Sequence, residues 1–569
     1  MSFDIIQLEV VHNALRSIVD EGYLALMRSA YSSNIKERHD HSAALFDASG
    51  RLVAQTERNI PMHLGSMTGF VKAVLERFPL ESIKPGDIFV ANDPFLAGGT
   101  HLPDIGYGIP VFADGKVIAF ACNVAHHADI GGMAPGGMDG RASEIYHEGL
   151  RIPPIRLARA GVLDTDLLNL FLANVRISDE RRGDHFAQIA ACRLCERRLL
   201  ELMERYPANH LLACFDELIE RTELRMKAAL AKITPGTYTF EDVMDDDGHG
   251  ATDIPMRVAV TVSPDRILVD FDGTAPQVKG NINVPFSATL AAVGYAVKAM
   301  LDPKSPSNAG FFNVIEINAP TGTLVNAKFP AAIANRQQTC QRIADMLVGA
   351  LSKAMPEAGV AASHGATVMA FFSSATDAEK PYIYLEVIAG GSGGRFARDG
   401  KDGAAVHTTN TSNLPVEVIE TEYPLIVESY GFIPDTGGPG RNRGGLALRR
   451  VVRVLTEGST FTGHAERFTN RPWGMFGGGA GASGSYRIIR SDGEEVQLSP
   501  KAAGIPLHVG DRVVIESAGA GGYGPPGERD AKRLRADYAS GKTTLDFIRA
   551  NYPAALVAAA GLTPADPAA

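Results

Sequence analysis

Residues 237–244, TYTFEDVM, and residues 256–273, MRVAVTVSPDRILVDFDG, alternate apolar and polar side chains with a period of two. A strand sends successive side chains to opposite faces, so this pattern predicts half-buried strands. It also marks a change of texture, because residues 163 to about 230 carry Leu, Ala and Ile at helical spacing between charged faces. Further upstream, Ile5, Leu8, Val11, Leu15, Ile18 and Val19 predict an amphipathic helix over residues 4 to about 30, with a short turn at 24–30. Residues 42–53 (SAALFDASGRLV) predict two strands joined by Asp47-Ala48-Ser49-Gly50. A second hairpin is predicted for 108–112 and 117–124 around Ala113-Asp114-Gly115-Lys116.

Downstream, 285–302 and 336–356 read as helices and 382–389 as a strand. Residues 390–480 are rich in Gly, Asn and Thr with few long periodic runs. Short strands over 482–518, a charged helix over 528–550 and a frayed tail at 559–569 follow. No fixed-period repeat is present. The predicted fold class is α+β, a multi-lobed mixed α/β N-terminal half with a β-rich, Gly-rich C-terminal half. The expected units are 1–232, holding a candidate metal site and a helical segment, a mixed α/β lobe at 233–390, and a Gly-rich β lobe at 391–569.

A chain of 569 residues has room for about three or four such units. With 45% apolar and 21% charged residues it is globular rather than disordered. Lys+Arg 55 against Asp+Glu 65 gives a net charge of -10, which offers no overall basic footprint for nucleic acid. No apolar run approaches the ~18 residues of a membrane span, and the start MSFDIIQ lacks a signal peptide's basic and apolar regions. Five cysteines in so long a chain make no disulfide framework. A soluble, cytoplasmic protein without nucleic-acid or membrane partners is expected.

The densest set of possible metal ligands lies in the first 130 residues. Arg38-His39-Asp40-His41 precedes a strand, Thr100-His101-Leu102-Pro103-Asp104 follows a Gly-Gly pair, and Ala125-His126-His127-Ala128-Asp129-Ile130-Gly131-Gly132 closes a strand. His101 and Asp104, with Pro103 between them, sit on a turn, where both side chains can converge on one ion. One imidazole from the end of a neighbouring strand and the Asp40 carboxylate would complete a mixed N/O set suited to Zn, Mn or Fe. In a strand His126 and His127 face opposite ways, so only one of them is a ligand. The alternative for any one of these residues is a surface carboxylate or a hydrogen-bonded core histidine.

Other motifs carry less. The clusters Gly390-Gly391-Ser392-Gly393-Gly394, Gly437-Gly438-Pro439-Gly440, Gly477-Gly478-Gly479 and Gly519-Ala520-Gly521-Gly522 lack a phosphate-binding frame and read as tight turns and close backbone packing. Ser540-Gly541-Lys542-Thr543 has Ala536 where a P-loop needs glycine, so no ATP site is expected in this chain. Cys192-Arg193-Leu194-Cys195 has no second pair and reads as two helix residues on one face. Asp245-Asp246-Asp247-Gly248-His249-Gly250 lacks the later glutamate of a calcium loop and reads as a turn. His63 and Arg336 are pocket polar groups without a frame of their own. There is no GxSxG nucleophile elbow.

The chain resembles the hydantoinase B/oxoprolinase family. The resemblance rests on ERHDHSAALFD (37–47), IPMHLGSM (60–67), GDIFVANDPFLAGGTHLPDI (86–105), AHHADIGG (125–132) and SEIYHEGLRIPP (143–154). It continues through VDFDGTAPQVKGNIN (269–283), TNTSNLPVEVIE (409–420), GGPGRNRGGL (437–446) and RPWGMFGG (471–478), nearly the whole chain. That family includes the B-type components of ATP-dependent hydantoinases and lactamases, the C-terminal half of 5-oxoprolinase, and the large metal-bearing subunit of acetone-type carboxylases.

The resemblance implies metal ligands and catalytic residues at Asp40, His101, Asp104 and His126, choosing His126 over His127. It implies supporting roles behind them for His127, Asp129 and His63. His39 and His41 flank Asp40 where the family pattern has other residues, commonly an aromatic after the Asp. The expected cofactor is a divalent Zn, Mn or Fe ion, with ATP used only through an ATP-binding hydantoinase A-type partner in a heterotetramer with two copies of each subunit. The implied activity is opening of a hydantoin, 5-oxoproline or lactam ring after the partner phosphorylates it. The alternatives are the metal-bearing subunit of an ATP-dependent ketone carboxylase, whose family members are longer, and a non-catalytic scaffold for the ATPase.

Overall fold

The computed structural model describes residues 4–375 and 378–562. The fold is α+β, with helices packed on four sheets. The first sheet contains β1 (His41–Asp47), β2 (Leu52–Gln55), β3 (Ile88–Ala91), β4 (Asp104–Ala113), β5 (Lys116–His126), β6 (Ile155–Arg159) and β7 (Val162–Leu163), in the order β2-β1-β5-β4-β3-β6-β7. Every neighbouring pair is antiparallel. Both faces are covered. Leu45, Ala119 and Ala121 pack against Leu8, Val11, Leu15 and Ile18 of the helix Ile5–Ser29. Ala44, Phe46, Phe120 and Cys122 pack against Met67, Phe70 and Val74 of the helix His63–Arg77. Burial on two sides explains why β1 and β5 read as continuous apolar runs.

The helix Ile5–Ser29 begins at Asp4, whose side chain accepts from Ile6 N. It continues through the segment 24–30 where a turn is predicted, because Tyr23 and Leu26 prolong its buried face. The second sheet has β8 (Gly236–Asp246), β9 (Thr252–Val262), β10 (Ile267–Asp270) and β11 (Ile315–Asn318), in the order β11-β10-β9-β8. Met256, Val258, Val260 and Val262 of β9 face the helices Phe286–Leu301 and Arg336–Ala354, as their alternation predicts.

The helix Arg336–Ala354 is buried from Arg336 through Ser352 despite carrying Gln338, Gln341, Arg342 and Asp345. These polar groups have partners. Gln338 Nε2 donates to Thr367 O at 2.6 Å, and Arg342 reaches Asp242 at 3.3 Å and Glu466 at 3.1 Å. Lys501 pairs with Glu466 at 2.6 Å and Arg467 with Asp242 at 2.8 Å. This charge cluster fastens the second sheet to the C-terminal half.

The third sheet joins Val368–Ser373 and Ile383–Ile388 to Ser459–His464 and Ile505–Leu507, and so draws strands from both sides of residue 390. The fourth is built from Leu425–Ile433, Ala447–Val454, Ser485–Ile489, Glu495–Leu498 and Arg512–Glu516. Phe372, Tyr384, Phe461, Tyr486, Val513 and Ile515 fill the core between these two sheets. The Gly-rich segments pack backbone on backbone: a Cβ on Gly444 would lie 1.9 Å from Ala520 O, and one on Gly478 2.1 Å from Gly522 O.

The charged run at 528–550 is two helices, Ala531–Ala539 and Leu545–Asn551, separated at Gly541 by a positive φ of 70°. Lys542 there pairs with Asp402 at 2.8 Å. Of the predicted turn at 245–250, Asp245 and Asp246 extend β8 and residues 247–251 make the connection to β9, while Asp245 accepts the backbone N–H groups of Phe468, Thr469 and Asn470. Of the tail predicted at 559–569, residues 563–569 lie outside the described residues. Among the described residues no helix is long and apolar enough to cross a membrane.

Candidate metal centre

The register of the first sheet assembles the site. Asp104 opens β4 and pairs directly with His126, the last residue of β5. His41 of β1 pairs with Ala125, and one step further the Asp40 carbonyl accepts from His126 N at 3.0 Å. Directly opposed residues share a face, so Asp40, His126 and Asp104 stand in one row across three strands. His101 joins from the turn before β4, where Asp104 N donates back to the His101 carbonyl at 3.3 Å. Ligand atoms of His101, Asp104 and His126 lie within 4.8 Å of one another, all buried.

Asp40 lies outside that tight trio but lines the same cavity, next to His63. His63 stands at the start of its helix with Nε2 3.6 Å from both Asp40 Oδ1 and Asp104 Oδ1. Ser42 Oγ holds its Nδ1 at 2.9 Å. Arg336, from the start of its own helix, donates to Asp104 Oδ2 at 2.9 Å, and Thr100 Oγ1 donates to the same oxygen at 2.8 Å. Met369, Leu385 and Val387 of the third sheet and Thr408, Thr409 and Thr411 close the space, a cavity of about 50 Å³. That volume takes an ion and about one or two waters.

The other carboxylate oxygen decides what the site can hold. The Ala334 carbonyl can only accept, so His101 Nδ1, 3.1 Å away, donates to it, and His101 Nε2 carries a lone pair. Nε2 lies 3.1 Å from Asp104 Oδ1, and both atoms are buried without a hydrogen-bond partner. Two buried acceptors facing each other at this distance call for a cation between them. Burial pushes the His101 and His126 pKa values down, leaving neutral imidazoles with lone pairs to donate. Burial pushes the Asp40 carboxyl up. Two imidazoles and a carboxylate, with a second carboxylate beside them, fit Zn, Mn or Fe.

The supports behind the imidazoles differ from those expected. His127 follows the strand's alternation away from the cavity, with Nε2 2.9 Å from Gln188 Oε1. Asp129 accepts from Gly131 N, Gly136 N and Arg176 and so ties down the loop after β5. Neither touches His101 or His126. Their places are taken by the Ala334 carbonyl and by Asn34, whose Nδ2 lies 3.0 Å from His126 Nδ1 and donates to His126 O at 2.7 Å. His41 turns away as well, stacking on Tyr23 with ring centroids 4.1 Å apart, and His39 approaches Ser412 at 3.5 Å. His126→Ala is therefore expected to lose most of its bound metal and His127→Asn to keep it, as read by metal content after gel filtration. Equal retention in both would contradict the register argument.

Glu148, within the stretch SEIYHEGLRIPP, is a further support, one whose role the sequence reading does not single out. Its Oε1 accepts from Ile333 N at 2.7 Å and Ala334 N at 2.8 Å, fixing the carbonyl that holds His101. Burial pushes its pKa up to about 8. Between pH 4.5 and 8 the folded chain keeps a proton that the unfolded chain has lost, so stability falls as pH rises through that window. Glu148→Gln keeps the acceptor and removes this slope. Thermal midpoints of the two proteins are expected to diverge in favour of the glutamine variant from about pH 5 to about pH 8. Parallel curves would contradict it.

Residues 4–526 match the family model described as hydantoinase B/oxoprolinase. The chain belongs to the hydantoinase B/oxoprolinase family. Within it, the chain is 32% identical over 566 residues to the B component of a putative D-/L-hydantoinase of Pseudomonas sp. (strain NS671), covering 96% of this chain and 95% of that one. It is 31% identical over 567 residues to the beta component of the caprolactamase of Pseudomonas jessenii, covering 96% of each. The crystal structure of the ATP-dependent caprolactamase from P. jessenii superposes with a TM-score of 0.91 at 30% identity, over 96% of both chains. A nucleotide-free acetone carboxylase structure shares the fold, with a TM-score of 0.87 at 20% identity over 97% of this chain and 82% of that one.

Proposed function

We propose that this member of the hydantoinase B/oxoprolinase family is the metal-bearing catalytic subunit of an ATP-dependent cyclic amidohydrolase. The observation that carries the reading is the pair of buried acceptors, His101 Nε2 and Asp104 Oδ1, 3.1 Å apart beside His126. The relatives named for hydantoin and caprolactam support the substrate class. His101, Asp104 and His126 would hold the ion, with Asp40 as a fourth donor. A bound divalent cation supplies Lewis acidity and brings the pKa of water down toward about 7.

The chain's own residues then prepare the attack. Arg336 and Thr100 occupy Asp104 Oδ2 and so aim Oδ1 into the cavity. The Ala334 carbonyl fixes the His101 tautomer. His63, whose approach to both carboxylates supports this role, would take a proton from water and return it to the leaving nitrogen. An unstrained cyclic amide is a poor electrophile, so an A-type ATPase partner would first phosphorylate its carbonyl oxygen; water would then add to that carbon, the ring nitrogen would leave as the amine, and the remaining acyl phosphate would be hydrolysed to the acid and inorganic phosphate. Both relatives are named as one component of a multi-chain enzyme, which supports such a partner. The assembly proposed is a cytoplasmic heterotetramer with two copies of each subunit.

The test is turnover with the ATPase partner, ATP, and hydantoin, 5-oxoproline or a lactam, in water labelled with oxygen-18 and with labelled bicarbonate present. Ring-opened acid carrying oxygen from water and no carbon from bicarbonate is expected. Incorporation of bicarbonate carbon would make the chain a carboxylase component. Turnover indifferent to loss of Asp104 would make it a scaffold.

A further inference from the structure

The metal cavity is too small for a ring beside the ion, but it adjoins a larger space. A chamber of about 540 Å³ lies on the far side of the segment 407–411, and Thr409 lines both spaces. Its wall carries two cations without an anionic partner. Among the described residues the Arg395 guanidinium makes no hydrogen bond or ion pair, although its Nε is shut off from solvent. The Lys401 ammonium likewise makes no ion pair there.

The carboxylates nearby are already committed. Glu57 pairs with Arg16 at 2.6 Å, and Asp345, below the chamber, pairs with His407 at 2.7 Å. Arg395 is half-buried and Lys401 exposed, whereas the fully buried arginines Arg342, Arg443, Arg450, Arg467 and Arg529 each meet a carboxylate. A half-buried arginine left open in a polar chamber that a lysine also lines matches a planar, multidentate anion such as a phosphoryl group. Tyr295, Ser392 and Asn410 on the same wall add neutral polar groups.

We propose that this chamber binds the phosphoryl group of an activated cyclic amide, with the Arg395 guanidinium as its main contact and the Lys401 ammonium as a second, and holds the ring toward Thr409 and the metal centre. This rests on the ATP-dependent reading above. Its test does not require turnover. The purified full chain, freed of metal by chelation, is titrated calorimetrically with inorganic phosphate and with phenylphosphonate, which ties a ring to the same anion. Wild type is expected to bind both at one shared site, phenylphosphonate more tightly.

Arg395→Gln should weaken both by about tenfold or more and Lys401→Gln by about threefold, while Arg266→Gln, on the exposed turn before β10, leaves them unchanged. Circular dichroism confirms that each variant is folded. No binding by wild type, or equal binding by Arg395→Gln, overturns the proposal whatever the isotope test shows. Tighter binding of free phosphate than of phenylphosphonate overturns the assignment to an activated substrate. Failure of the isotope test with the anion site intact would instead overturn the hydrolase reading alone.

Discussion

Asp104→Ala is expected to lower cyclic-amide turnover by about a thousandfold or more. Asp104 is the residue on which every part of the centre depends. Its Oδ1 faces His101 Nε2 at 3.1 Å without a hydrogen bond, and its Oδ2 takes Arg336 and Thr100. On the function proposed above, losing this ligand would remove the cation's contribution of several kcal/mol to the transition state, and ~4 kcal/mol is about a thousandfold in rate. The same change leaves the buried Arg336 charge without its carboxylate, which costs on the order of 3–5 kcal/mol of stability. Asp104→Asn keeps the shape and part of the hydrogen bonding. It is expected to lose as much turnover with a smaller drop in thermal midpoint. Activity within about tenfold of wild type in either variant would contradict the assignment.

Arg342→Met is expected to be the most destabilising single change away from the centre. Arg342 is fully buried, 3.3 Å from Asp242 on β8 and 3.1 Å from Glu466 in the C-terminal half. Breaking a buried charge pair by removing one partner costs about 3–5 kcal/mol, since the other charge stays buried. Here Arg467 still faces Asp242 and Lys501 still faces Glu466, so about 3 kcal/mol is the better expectation. In a chain of 569 residues that is a fall of about 2–3 °C in thermal midpoint. Earlier proteolysis of the C-terminal half should accompany it. A midpoint unchanged within about 1 °C would show that the cluster holds nothing together.

Much of the site is legible from the residues alone, and the rest is hidden for definite reasons. The hairpins around β1–β2 and β4–β5 announce themselves through turn residues and apolar runs. The turn His101-Leu102-Pro103-Asp104 shows two ligand types at converging distance. The period of a strand states that only one of His126 and His127 faces a given side of the sheet, but parity alone does not say which lines the cavity. The family resemblance implies His126, and the register that opposes His126 to Asp104 puts that ring in the cavity.

Ala334, Arg336 and Glu148 act from elements far along the chain, and local periodicity carries no record of such contacts. The strand Ala447–Val454 is hard to read because Arg450, buried against Glu386 at 2.8 Å, interrupts its apolar alternation. Leu425–Ile433 is mostly exposed and shifts register near Val427, which removes its two-residue signal.

Elemental analysis of the wild-type chain, purified without added metal, tests directly whether it carries the proposed ion. Near one equivalent of Zn, Mn or Fe is expected, falling to little in Asp104→Ala prepared alongside it. No metal in the wild type, even after reconstitution with all three ions, would contradict a metal centre in this chain.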